Sequence, residues 1–347
     1  MAWAAIWQKG GPLALRGFAV HSAPRDAPLQ ALTLWLEIAA PRVAGRPVRI
    51  WQGAAPENRA IAAYLMPDGA LRVLHGGAVD VATPPGFAAP GEVLILRIVA
   101  CAQGRHGVID LLNADTGLRR KVRTRVARPP RLDEAFPRAQ GFSEIANVAA
   151  VATHPVPATD LPGIGSGARI ATPDGNMPVE QIAPGMTVLG DDGTPHVVRW
   201  TDVRERLCLG RTAPILLRAP YFGLEADICV TPDTRLVRQG ADVEYLAGTD
   251  AVLVRAGDLV PGVAARHDRN QPLRRFHHLM LDDPACIRIS RCRVETAFLL
   301  EVLAAEDAPP AGARPVARDC APSLPLLDRA AARTLLSRTA RAQSFVT

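Results

Sequence analysis

The sequence predicts a mainly β protein made of two domains joined by a proline-rich connection. Three observations carry that reading. Proline (31) and glycine (28) are plentiful and spread through 347 residues, which favours frequent turns over long helices. Short apolar runs with alternating or β-branched content recur between those turns. Hydrophobic residues make up 48% and charged residues 21%, a balance that suits a globular chain long enough for two cores. The expected layout is a β-sandwich over 1–126, a linker over 127–162, a second all-β module over 163–302, and a tail over 303–347 with a short C-terminal helix.

The first domain is read strand by strand from about residue 15. Leu32 to Ile38 and Val48 to Trp51 have strand patterns. Ala60 to Leu65 and Ala70 to Leu74 flank Met66-Pro67-Asp68-Gly69, a hairpin signal. Val93 to Ala100 is almost wholly apolar and reads as a buried central strand. Val108 to Leu112 is expected to pair with the segment that follows the turn Asn113 to Gly117. This succession resembles a jelly roll of the concanavalin or laminin-G type, a likeness that implies a sandwich and by itself no ligand. Such domains often bind glycans, which needs Asp/Asn ligands or an exposed aromatic platform. Asp68, Asn113 and Asp115 are expected in turns for backbone reasons, and Trp35 and Trp51 in the core.

Leu118 to Arg131 holds many cations and no acid, with Arg119, Lys121, Arg123 and Arg125 at alternate positions. On a strand this makes one cationic face. A charged edge strand that resists pairing explains it most simply, ahead of a nucleic acid or lipid partner. The net charge of +6 is likewise read as a basic patch rather than a nucleic-acid footprint. From 127 to 162, Pro129, Pro130, Pro137, Pro155, Pro157 and Pro162 are expected to break regular structure and make a protease-sensitive linker, with a short helix within 132–151.

The second module opens on Gly163 to Gly193, where three turn signals follow one another: Pro173-Asp174-Gly175, Pro184-Gly185 and Asp191-Asp192-Gly193. In register, Gly167, Ile170, Thr172, Gly175, Val179, Glu180, Ile182, Gly185 and Val188 match the opening motif of a known family. The run resembles the Hedgehog/intein, or Hint, module in its bacterial form. The likeness continues through His196 to Trp200, Pro214 to Arg218, Glu225 to Leu236, Val252 to Val260, Phe276 to Asp282 and Val294 to Leu299.

The resemblance implies a self-cleaving or self-splicing domain and the residues it would need. A leading Cys attacks the carbonyl before it, and a T-x-x-H motif holds the scissile peptide and protonates the departing nitrogen. In this register the Cys position is Gly163, Thr231 is kept, and Thr234 stands where the His belongs. A D-x-H-E position reads Asp282-Asp283-Pro284-Ala285, and the His-Asn ending is replaced by Glu301-Val302-Leu303. The centre is therefore read as degenerate, with Ser166 as a candidate substitute nucleophile and His278, or its neighbour His277, as a possible acid. Restoring Gly163→Cys with Thr234→His is expected to recover some thiol-induced cleavage after Pro162.

The favoured function is binding or structural, on a retained Hint scaffold. Its rivals are self-processing through Ser166, and glycan or surface binding through the sandwich. No cofactor or metal is expected, since the six Cys show neither C-x-x-C pairs nor zinc spacing. A glycan or protein partner is open. No apolar run is long enough for a transmembrane helix and no cleavable signal peptide opens the chain, which leaves a cytoplasmic location or a signal-peptide-independent export route. Leu326 to Ala342 is the expected terminal helix, and Ser344 to Thr347 vaguely resembles a type I secretion signal.

Overall fold

The computed structural model describes residues 2–9, 11–15, 18–22, 24–137, 146–157, 161–260, 262–305 and 322–335. The chain divides into two compact units, Met1–Ala158 with Leu209–Arg211, and Thr159–Cys208 with Thr212–Thr347.

The first unit contains strands β1 (Trp3–Gln8), β2 (Gly11–Pro12), β3 (Ala31–Ala39), β4 (Val48–Gln52), β5 (Ile61–Leu65) and β6 (Leu71–His75). They are followed by β7 (Val79–Ala82), β8 (Val93–Cys101), β9 (His106–Asn113), β10 (Arg119–Arg125), helix α1 (Leu132–Ala135) and β11 (Ala146–Ala152). A seven-stranded sheet in the order β10-β9-β8-β3-β11-β1-β2 packs on a four-stranded meander, β4-β5-β6-β7. Between them lies one core, with Leu34, Leu36, Ile38, Leu96 and Leu111 from the large sheet against Ile50, Trp51, Ile61, Leu71 and Val73 from the small one. Each strand read from the sequence is present, because the apolar alternation that marks it is the pattern that fills this core.

Asp68 and Asn113 serve the backbone, as expected. Asp68 accepts the Ala70 N–H at 3.0 Å, and Asn113 accepts those of Asp115 and Thr116, both at 3.1 Å. Trp35 and Trp51 are buried.

The segment expected as linker differs. Residues 146–152 form β11, which pairs with both β1 and β3 in the middle of the large sheet. The proline count concealed an Ala/Val run, Ala146 to Ala152, whose small side chains suit a strand buried on both faces. A protease-resistant N-terminal fragment should therefore extend through Ala152. Fragment masses from limited proteolysis check this, and a stable fragment ending before Ala146 would contradict the sheet order.

The second unit begins with β12 (Ile164–Gly165), β13 (Arg169–Thr172), β14 (Gly175–Pro178), β15 (Thr187–Leu189), the long β16 (Pro195–Leu207), β17 (Ile215–Leu217) and β18 (Ile228–Val230). It continues with β19 (Arg235–Gln239), α2 (Ala241–Ala247), β20 (Ala251–Arg255), β21 (Ala265–His267), β22 (Leu273–Leu281), β23 (Cys286–Ile289), β24 (Cys292–Glu295) and α3 (Leu299–Ala305). One sheet runs β15-β16-β22-β12-β18-β17-β21 and the other β14-β13-β23-β24-β19-β20. The predicted turns are real: Gly175 and Gly185 have φ of 109° and 88°, values costly for any residue with a Cβ.

Residues 329–335 are helical, and Ala332 and Leu335 join this unit's core. Just ahead of them, Leu253 of β20 donates to Pro325 O and accepts from Leu327 N, so the chain covers an otherwise open sheet edge. The remainder of the expected terminal helix and the Ser344 to Thr347 motif lie outside the described residues. No helix among the described residues is long and apolar enough to cross a membrane.

Candidate functional site

The short strand β12 organises the site. Ile164 pairs with Val230 on one side and His277 on the other, so β12 is held between β18 and β22. Side chains alternate along a strand, so Gly163 and Ile164 face opposite ways. Gly163 faces the surface that carries Thr231 and His278. Ile164 faces the hydrophobic core.

Three side chains close around the Pro162–Gly163 peptide. The Gly163 N–H donates to Thr231 Oγ1 at 3.0 Å and to Thr234 Oγ1 at 3.1 Å. The Thr231 hydroxyl donates to Leu161 O at 2.8 Å, and the Thr234 hydroxyl to Gly163 O at 3.0 Å. His278 Nδ1 lies 2.9 Å from Pro162 O. A carbonyl only accepts, so Nδ1 carries the proton in this contact. Thr231, Thr234 and His278 are all buried.

The electrostatics keep this cage neutral. Burial pushes the His278 pKa down to about 4, opposed by its hydrogen bond to Pro162. Arg204 lowers it further while Asp202 raises it, and these two form an ion pair at 2.6 Å on β16. At neutral pH the imidazole is therefore an uncharged donor that polarises the Pro162 carbonyl. The two threonine oxygens also lie 3.0 Å from each other, so each hydroxyl has a carbonyl oxygen and the other hydroxyl within reach, while both accept the Gly163 N–H. That is the reverse of what protonating a departing nitrogen requires.

The pH consequence has a definite sign. A His near 6.5 when unfolded and near 4 when folded takes up its proton first in the unfolded chain. Stability should be full above pH 6.5 and fall as pH drops to about 4, by up to about 3 kcal/mol from this group. Denaturation midpoints measured from pH 7 to pH 4 in wild type and His278→Gln check it. Parallel pH curves for the two proteins would contradict the assignment.

The Gly163 position is crowded. A Cβ built there would lie 2.6 Å from His278 Cε1, 2.9 Å from its Nδ1 and 3.0 Å from Thr231 Cγ2. The space that a nucleophilic side chain would need is filled by the imidazole.

The sequence placed Gly163, Thr231, Thr234 and His278 at one centre, and the structure brings all four together. Ser166 lies elsewhere, exposed, in the turn that follows β12. Its Oγ is 3.1 Å from Nε2 of His277, the neighbour of His278. Burial lowers the His277 pKa, and the Glu180 carboxylate opposes that shift. Sequence reasoning missed the Ser166–His277 pairing and the carbonyls of Leu161 and Pro162 as cage partners. Adjacent His residues on a strand must face opposite ways, and that was the available signal.

Thiols offer no replacement. Cys229 lies beside Gly165, and burial pushes its pKa, like that of Cys208, up to about 12. Such thiols stay protonated and are poor nucleophiles at neutral pH. Five cysteines are described, all buried and none in a disulfide, and no cluster of metal-ligating side chains occurs among the described residues.

Residues 162–301 match the family model of the Hint domain. Among solved structures, the MchDnaB-1 intein is 16% identical with a TM-score of 0.26, the match covering 38% of this chain and 98% of that one. The bacterial intein-like domain from Clostridium thermocellum is 18% identical with a TM-score of 0.29, covering 39% and 96%. No curated protein matches the chain.

Proposed function

We propose that the Hint domain formed by residues 162–301 does not cut its own chain and serves as a binding or structural scaffold. The observation that carries this is the occupied space at Gly163, where His278 stands within 2.6 Å of any Cβ. Self-cleavage here would need a side chain at 163 to attack the Pro162 carbonyl carbon and displace the Gly163 nitrogen. Gly163 supplies no such group, and Thr234 supplies a hydroxyl where a titratable acid would act. What remains is a peptide with its N–H and both flanking carbonyls fully hydrogen-bonded. Satisfied buried polar groups of this kind hold structure together.

A second reading rests on the Ser166–His277 contact. His277 could take the Ser166 hydroxyl proton while Oγ attacks the Gly165 carbonyl. The acyl group would pass to Oγ as an ester and the Ser166 nitrogen would be freed as an amine. Hydrolysis would then leave a new N-terminus at Ser166. N-terminal analysis after long incubation separates the two readings. The first expects no new terminus between Gly163 and Gly167; a Ser166 terminus that disappears in Ser166→Ala would establish the second.

A further inference from the structure

The second unit carries a feature that is independent of whether the chain cuts itself: a largely buried cation without a counter-ion. Arg238 lies on β19, two residues after Leu236 and therefore on the same face of the strand. Leu236 belongs to the core, so the Arg238 side chain leaves the strand on the core side. Its guanidinium carbon lies 5.6 Å from the centre of the Phe222 ring. Its Nε is buried without a hydrogen-bond partner, and the guanidinium makes no hydrogen bond or ion pair with any described residue.

The other arginines with an unbonded buried nitrogen differ. Arg59, Arg97, Arg204, Arg235 and Arg274 each stand beside a carboxylate, that of Asp133, Asp110, Asp202, Glu295 and Asp268 in turn. Arg238 has none among the described residues. Burial lowers its pKa, and the one group opposing that shift is the Cys292 thiol. Burial pushes that thiol up to about 12, so it stays protonated at neutral pH and supplies no negative charge. Taking a guanidinium out of water without an anion is costly, and a cation–π contact offsets only part of the cost.

The turn that meets Arg238 is strained as well. Phe222 has φ 58° and ψ 13°, a left-handed conformation unfavourable for a bulky side chain. The next residue, Gly223, is pressed against the β23–β24 hairpin. Its carbonyl accepts the Arg291 N–H at 3.1 Å, and a Cβ built on it would lie 2.6 Å from Arg291 Cβ. Arg291 is exposed and pairs with no acid among the described residues. Arg238 and Arg291 thus border the same turn, each with its charge unanswered. Strained backbone beside uncompensated charge is the pattern of a ligand clamp.

We propose that Arg238, with Arg291 at the rim, binds a phosphate group. The guanidinium fork suits an oxyanion that accepts two parallel N–H bonds. A phosphate monoester carries about −1.5 to −2 charges near neutral pH, which two cations without a carboxylate answer and a single carboxylate would not. Tyr221, exposed beside Phe222, offers a ring to the organic part of a monoester.

The test is thermal unfolding of the full chain in chloride, inorganic phosphate, phenyl phosphate and acetate at equal ionic strength. Wild type is compared with Arg238→Met, Arg238→Lys and Arg199→Met, the last an equal charge change at an exposed site on β16. Phosphate also stabilises proteins by exclusion from their surface, and that part is common to all four. Beyond it, wild type and Arg199→Met should gain at least about 2 °C more in phosphate than Arg238→Met does. Arg238→Lys, which keeps the charge without the fork, should show a reduced gain, and acetate should separate none of the proteins. Calorimetric titration of wild type distinguishes the sources of the group: tighter binding of phenyl phosphate assigns a monoester, and equal affinity assigns free phosphate. The proposal fails if all four proteins gain equally in phosphate, if acetate matches phosphate, or if Arg238→Met binds inorganic phosphate as tightly as wild type.

Discussion

Gly163→Ala should destabilise the Hint domain by about 1–3 kcal/mol, a large effect for a single added methyl group. The new Cβ meets the His278 ring at 2.6 Å and Thr231 Cγ2 at 3.0 Å. His278 cannot swing clear without giving up its bond to Pro162 O and leaving a buried carbonyl unpaired. If the imidazole is the obstacle, His278→Ala should remove most of the added cost. The double variant would then be more stable than the sum of the single effects predicts, a coupling a double-mutant cycle measures. Additive effects would mean that the methyl group clashes elsewhere. The same crowding revises the expectation for Gly163→Cys with Thr234→His. Cys at 163 needs the room His278 occupies, and His at 234 replaces a fully buried Thr. That pair alone should restore no cleavage, whereas adding His278→Ala should allow a thiol-dependent cut after Pro162.

Arg235→Leu should cost more, about 3–5 kcal/mol, because it strands a buried carboxylate. Arg235 on β19 pairs with Glu295 on β24 and Glu301 on α3, donates to Thr296 O at 3.1 Å, and lies over the Phe298 ring at 5.1 Å. Glu295 is 1% exposed and also receives the Ser323 N–H from the chain segment that covers β20. One cation thus ties together two sheet strands, α3 and, through Glu295, the tail. Urea denaturation of Arg235→Leu should show the loss, and Arg235→Leu with Glu295→Leu should recover much of it, since no charge is then left buried alone. A loss below about 1 kcal/mol would place the pair among ordinary surface bridges.

The sequence made the strands legible because they are written in apolar alternation, and the turns because Gly175 and Gly185 must take positive φ. It made the centre legible because the motif spacing places Gly163, Thr231, Thr234 and His278. Three things were hidden. β11 reads as a weak strand in isolation, because Ala-rich runs have little β preference; its place between β1 and β3 decides it. The cage partners of Thr231 and His278 are backbone carbonyls, which no residue name announces. The clash at Gly163 depends on how closely β12 approaches β22, a distance set by tertiary packing.

The central claim is that the natural chain cannot move its Pro162 acyl group onto a side chain. Catalytic groups that act as a unit lose most of their effect when one member is missing, and on the proposed reading both the nucleophile and the general acid are replaced. The most direct test is the intact mass of purified protein held for days at neutral pH with dithiothreitol or hydroxylamine, either of which captures any ester or thioester. The account predicts a single species at the full 37.0 kDa. Two fragments meeting at Pro162–Gly163 would contradict it.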